Sequence, residues 1–258
     1  MKKSILEKKG FAVFMMLFGI LGLLLMTHHI VSYEAILRPH MDYLLENKII
    51  TNGINGVTFL RMFTNESNIF VDIYLILFAL GVFGVKPLYK FTHNEWLRGA
   101  ITLYIGVTGI IYFTVLLPFS QPFPMEKGIW FSNVINIWNH LITPVFFVVL
   151  WFFPVVFKRI PTIRYALLDL IFPICYFIMC IILGANDGFY PYPFLNGKQM
   201  WDMLFKAKPY DPTMGVLLLV AAVVILSGVF FGVSCALGGI HNKRVAKLEK
   251  KEKEPVTK

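Results

Sequence analysis

Long apolar runs separated by short polar ones set the pattern of this chain. Phe11 to Val31, Phe63 to Val85, Gly99 to Pro118, Trp130 to Phe157, Tyr165 to Gly184 and Met214 to Ile240 are each dominated by Leu, Ile, Val and Phe. A helix rises about 1.5 Å per residue, so crossing roughly 30 Å of hydrocarbon takes about 20 apolar residues. Every run is long enough for one crossing. The pattern predicts an all-α polytopic membrane protein with six transmembrane helices. Residues 1–240 make the bundle. Residues 241–258 make a charged tail, expected to be solvated.

Composition agrees with the pattern. The chain has 258 residues, of which 57 % are hydrophobic and only 15 % charged, so a soluble domain is excluded. A net charge of +9 would suit nucleic acid if it were gathered on one face. Instead the excess sits beside the ends of the apolar runs, and no nucleic-acid partner is expected. The N-terminal segment, the short loops at 86–98 and 158–164, and the tail hold 17 of the 24 Lys and Arg residues. The positive-inside rule then places both termini in the cytoplasm and the bundle in the cell membrane. The basic start MKKSILEKKG precedes a long apolar run with no small-residue cleavage site after it. That run reads as a retained first span rather than a signal peptide.

Candidate chemistry lies in the polar residues inside the runs. Asn133, Asn136, His140 and Thr143 share a wedge of about 80° on the fourth helix, near one membrane face. Thr64, Asn68 and Asp72 form an i, i+4, i+8 stripe on the second, and Tyr104, Thr108 and Tyr112 another on the third. Polar groups cost free energy in hydrocarbon, so these stripes should face other helices or a wet cavity. Asp72 has two open roles, functional carboxyl or interhelical hydrogen-bonding group. Thr64 likewise reads as a nucleophile or as a helix-start cap. A Thr hydroxyl needs a base to become nucleophilic, and a neutral His is the usual one. Topology puts Thr64, His140 and the segment Tyr190-Pro191-Tyr192-Pro193-Phe194 near the outer leaflet. The alternating prolines fix an extended backbone there, suited to a lid or an interfacial belt. Cys175, Cys180 and Cys235 sit within apolar runs and read as packing groups. His28, His29, His40 and Asp42 match no metal-ligand spacing, so no metal or cofactor is expected.

Four groups of residues carry a resemblance. They are Phe63-Thr64-Asn65-Glu66-Ser67-Asn68, Leu97-Arg98-Gly99-Ala100 leading into Tyr104 through Tyr112, Trp138-Asn139-His140 with Pro144 four residues later, and Tyr190-Pro191-Tyr192-Pro193-Phe194-Leu195. From about Arg61 to Ile240 the chain resembles the six-span androgen-induced-gene family of membrane hydrolases and its bacterial relatives. The resemblance implies a threonine hydrolase that cleaves fatty acid esters of hydroxy fatty acids. It puts the nucleophile at Thr64 and the base at His140. Asn68, Asp72, Tyr112, Asn136 and Asn139 would line the polar cavity, and Tyr190, Tyr192 and Phe194 would border lipid entry. Asn136 or Asn139 would orient the imidazole or donate to the oxyanion. Asp72 lies two turns from Thr64, about 12 Å along the helix, too far to hold the ring. The competing expectation is a non-catalytic lipid-binding, carrier or assembly protein using the same polar face.

Overall fold

A computed structural model describes residues 4–46, 60–116, 130–205 and 208–253. The described elements are all helical. They are α1 (Lys9–Glu46), α2 (Phe63–Val82), α3 (Lys86–Thr92), α4 (Glu95–Ile111), α5 (Trp130–Ile137), α6 (Thr143–Trp151), α7 (Thr162–Asp169), α8 (Ile171–Asp187), α9 (Gly197–Leu204) and α10 (Pro212–Lys253). Two π-helical turns interrupt this series, Tyr112–Leu116 and Trp138–Ile142. Among the described residues, six helical segments are long and apolar enough to cross a membrane: Lys9–Val31, Phe63–Val82, Glu95–Thr114, Val134–Trp151, Thr162–Asp187 and Pro212–Lys250. The six-span expectation holds.

Three boundaries differ from the sequence reading. α1 continues as helix to Glu46, through residues 34–46 that read as a polar outer segment. The loop at 86–98 is largely helix. Gly84, at φ +116, turns the chain, and Pro87 in the first turn of α3 starts the next helix. α10 runs unbroken to Lys253, with His241 1 % and Val245 2 % exposed, so the tail is not wholly solvated. The Asn-Gly turns at 52–53 and 55–56 and the loop at 119–127 lie outside the described residues.

The chain divides into two compact units. The first comprises Met1–Thr27, Thr64–Ala166 and Val233–Lys258, and the second His28–Phe63 and Leu167–Gly232. In the first, Met15, Leu75, Phe78, Ile105 and Phe147 pack into one core. Lipid tails are as apolar as these side chains, so close packing rather than water exclusion holds such a core. Glycines permit it. A Cβ on Gly19 would meet the Asp72 carbonyl at 2.5 Å, and one on Gly81 would meet the Tyr89 backbone at 2.7 Å.

α3 folds back on the end of α2. Tyr74 donates to the Thr92 carbonyl at 2.8 Å, and the His93 ring stacks on Phe78 and on Tyr89. Glu7 closes this corner. Its carboxylate accepts from the Tyr89 hydroxyl at 2.5 Å and from the Ser4 N–H at 2.7 Å. Burial raises the Glu7 carboxyl, but the Tyr89, Ser4 and His93 contacts outweigh it and hold it below the usual range. Burial pushes the His93 imidazole down, further than Glu7 and the Tyr89 carbonyl pull it up. Both groups therefore take up protons less readily folded than unfolded. The contribution of His93 and Glu7 to stability should be constant above about pH 6.5, then fall as His93 is forced to charge, and fall again below about pH 4.5 as Glu7 loses its charge. His93→Phe keeps the ring stack and should reduce the upper step. Glu7→Gln should reduce the lower one. Thermal unfolding in detergent across this pH range checks both.

In the second unit, the Tyr176 hydroxyl accepts from the Phe63 N–H at 3.1 Å and donates to the Arg61 carbonyl at 2.6 Å. Arg61 pairs with Asp187 at 2.6 Å. Phe63 packs among Phe172, Tyr176 and Phe230.

Candidate functional site

The local fold around His140 follows from Pro144. Proline has no N–H, and its ring crowds the carbonyl four residues back, which is that of His140. The backbone widens into the π turn Trp138–Ile142, closed by the Thr143 N–H on the Trp138 carbonyl. Such turns recur at functional sites. α4 meets this turn at Gly109, where a Cβ would lie 3.1 Å from Pro144 and 3.5 Å from the His140 carbonyl. A larger residue would push the two helices apart.

The π turn also corrects the angular wedge expected at 100° per residue. Asn139 and Thr143 are buried, 4 % and 0 % exposed. Asn136 and His140 share a different, half-buried face. Polar residues on that face form one cluster. His140 Nδ1 lies 3.0 Å from the Asn136 carbonyl. A carbonyl only accepts, so Nδ1 carries the hydrogen, and in the neutral ring the lone pair is on Nε2. The imidazole stacks on Tyr112, ring centres 3.9 Å apart, and the Asn136 amide donates to the Tyr112 hydroxyl at 3.0 Å. Asn136 thus holds the base twice, by its own carbonyl and through Tyr112.

A second cluster carries Thr64, which is 8 % exposed in the first turn of α2. The Thr64 carbonyl accepts from Ser67 Oγ at 3.0 Å and Asn68 Nδ2 at 2.8 Å. Ser67 also hydrogen-bonds Thr108 of α4 at 2.9 Å. Asn68 Nδ2 reaches the Asn139 carbonyl at 3.0 Å. One amide therefore bridges the backbone of Thr64 to the residue preceding His140. The second span thus meets the third through Ser67 and Thr108 and the fourth through Asn68 and Asn139.

Asp72 departs from both clusters. Its carboxyl lies against Gly22 of α1, where an added Cβ would overlap it. Tyr190, Tyr192 and Phe194 belong to the second unit. The Tyr190 ring covers Gly184, and Tyr192 and Phe194 stack 5.1 Å apart, nearly parallel. Burial pushes the Tyr190 hydroxyl up, and the charges of Asp187 and Tyr210 push it further.

Sequence reasoning missed a third polar cluster, at the opposite end of α4. Arg98, 2 % exposed, donates to the Leu150 and Phe153 carbonyls at 2.6 and 2.8 Å. Arg244 donates to those of Trp151 and Phe152 and stacks 4.2 Å over the Trp151 ring. The two guanidiniums thus occupy consecutive carbonyls at the α6 C-terminus, where cations suit the helix dipole. Glu95 joins them. Its Oε2 lies 3.6 Å from Arg98 Nη1, an ion pair without hydrogen-bond geometry, and its Oε1 lies 3.0 Å from His241 Nδ1. His241 Nε2 reaches the Lys158 carbonyl at 2.9 Å. Asn94, which caps α4 by accepting from the Trp96 and Leu97 N–H groups, was the available signal that Glu95 and Arg98 begin a helix. A small cavity of about 10 Å³, room for a single water, lies at this end too, lined by Tyr74, Phe78, Arg98, Phe147 and Leu150 among others.

The three Cys residues are free thiols, and no group of His, Cys, Asp or Glu among the described residues could hold a metal ion. Comparison with protein-family models, with curated proteins and with solved structures finds no match.

Proposed function

We propose that the protein is a membrane-embedded lipid-ester hydrolase with Thr64 as nucleophile and His140 as base. The observation that carries the reading is the held imidazole. Its Nδ1 is tied to a carbonyl, its face is stacked on Tyr112, and Nε2 keeps the lone pair a base requires. The next two residues, Leu141 and Ile142, are 42 % and 39 % exposed, so the base sits beside a lipid-facing surface.

In this mechanism Nε2 takes the Thr64 hydroxyl proton as the oxygen attacks the ester carbonyl. The imidazolium returns the proton to the leaving alcohol, and an acyl-threonine forms. Water, activated by the same nitrogen, releases the fatty acid and restores the hydroxyl. The Asn136 carbonyl does the orienting work that a carboxylate does in a triad, and Tyr112 fixes the plane of the ring. With both termini cytoplasmic, the substrate enters from the outer leaflet.

The test uses purified protein in lipid with a fatty acid ester of a hydroxy fatty acid. Thr64→Ala should reduce hydrolysis to background while Thr64→Ser retains part of it. A fluorophosphonate probe should leave an adduct mapped to Thr64. Full turnover in Thr64→Ala would remove Thr64 from the mechanism. One observation favours a non-catalytic lipid-binding protein: Ser67 and Asn68 both converge on the Thr64 carbonyl, a reinforcement of the helix start that needs no chemistry. Lipid retention without any probe adduct would select that reading.

A further inference from the structure

We propose that Asp72 is an intramembrane proton-binding site, closed on one side by the glycine face of α1. The inference is independent of the hydrolase reading. Asp72 is 1 % exposed, and its Oδ1 has no hydrogen-bond partner among the described residues. Gly19 and Gly22 present bare backbone to it, and a Cβ on Gly22 would coincide with the carboxyl group itself. α1 carries no titratable side chain from Gly10 to Thr27. Neighbouring elements offer Tyr104 on α4 and His140 on the fourth span, and α2 itself offers Glu66 and Tyr74. An unpaired carboxylate in such surroundings loses its hydration with nothing in exchange, whereas the neutral acid loses far less. A proton is the one cation small enough for this contact, because the carboxyl already fills the space above Gly22.

The neighbouring side chains suit a proton that comes and goes. Asn68 pairs with Asn139, and Tyr74 packs edge-on against Phe147 with ring centres 5.4 Å apart. These contacts run in the same order along both chains, so α2 and the fourth span are parallel. One turn past the first contact, Asp72 and Thr143 come to the same depth. Thr143 Oγ1, with 0 % exposure, and Asn68 Oδ1, with 1 %, also lack hydrogen-bond partners. Each is an acceptor toward which an acid O–H can turn. The indole N–H of Trp138, which stacks on Phe18 of the same α1, is a further buried donor without an acceptor.

Infrared spectra of the whole protein in lipid, wild type against Asp72→Asn, test the proposal. The carbonyl stretch of a protonated carboxylic acid should be present in wild type, be completely lost in Asp72→Asn, and titrate away as pH is raised. Identical spectra would overturn the proposal. So would a band that persists at every pH the fold survives, which would make Asp72 a locked packing group. Loss of the band on adding sodium at fixed pH would also overturn it, in favour of a metal cation. Should the variant fail to fold, labelling of wild type by dicyclohexylcarbodiimide, mapped by mass spectrometry, decides. An adduct at Asp72 that forms at low pH and not at high pH supports the site. No adduct at either pH overturns it.

Discussion

Replacing Arg98 with alanine should lower the unfolding free energy by about 3–5 kcal/mol, seen as a large drop in the thermal midpoint of the detergent-solubilised protein. The side chain is 2 % exposed, so water does not replace what is lost. Two effects add. The Phe153 carbonyl loses its Arg98 donor at the end of α6, and the Leu150 carbonyl keeps only backbone N–H groups. Glu95 keeps its charge but loses the guanidinium that faces it. Arg98→Lys should rescue little, because one ammonium cannot match a planar fork set on two carbonyls. The control is Glu95→Gln with Arg98→Met. With both charges gone, the double variant should be more stable than Arg98→Ala alone. If the single variant melts with wild type, the cluster is not what holds this end of the bundle.

His140→Ala should lower lipid-ester turnover by about 10²- to 10⁴-fold, the range a positioned general base contributes. The ring is half-buried and its backbone lies in a turn set by Pro144, so the fold should survive the change. Tyr112 separates positioning from chemistry. Tyr112→Phe keeps the stack on the imidazole and loses the bond from Asn136. It should retain most activity. Tyr112→Ala frees the ring to rotate and should fall toward His140→Ala in kcat, with the pH profile altered. Equal activity in wild type and His140→Ala would remove the base from the mechanism.

The six crossings were legible because a bilayer imposes one requirement, an apolar length, that composition displays directly. That Asn68 meets the Asn139 backbone, and Tyr112 meets Asn136 and His140, was legible for a related reason. Polar side chains in hydrocarbon have few places to go except toward each other. Finer geometry was not legible. A period of 3.6 residues placed Asn136, His140 and Thr143 on one face, but Pro144 forces a wider turn that parts Thr143 from the other two. The cluster of Glu95, Arg98, His241 and Arg244 joins residues far apart in the chain. No local periodicity marks such a pairing, and Arg98 and His241 looked like interfacial and solvated charges because Arg98 ends the basic segment 86–98 and His241 begins a run rich in Lys and Arg. Asp72 was flagged for its cost, but its contact with Gly22 depends on how two helices dock.

α10 has 42 residues and so measures roughly 63 Å, about twice the hydrocarbon thickness of a bilayer. Membrane helices rarely tilt beyond about 40°, too little to hide such a rod, so a stretch of it stands clear of the lipid. Asn242 clasps the backbone of Ile160, and Glu249 pairs with Arg159 at 2.8 Å, which ties that stretch to the connection before α7. A rod anchored in this way is a spacer of set length. A reporter attached behind Lys253 would ride at a fixed height over the bilayer and would register any piston-like shift of the sixth crossing as a change in that height.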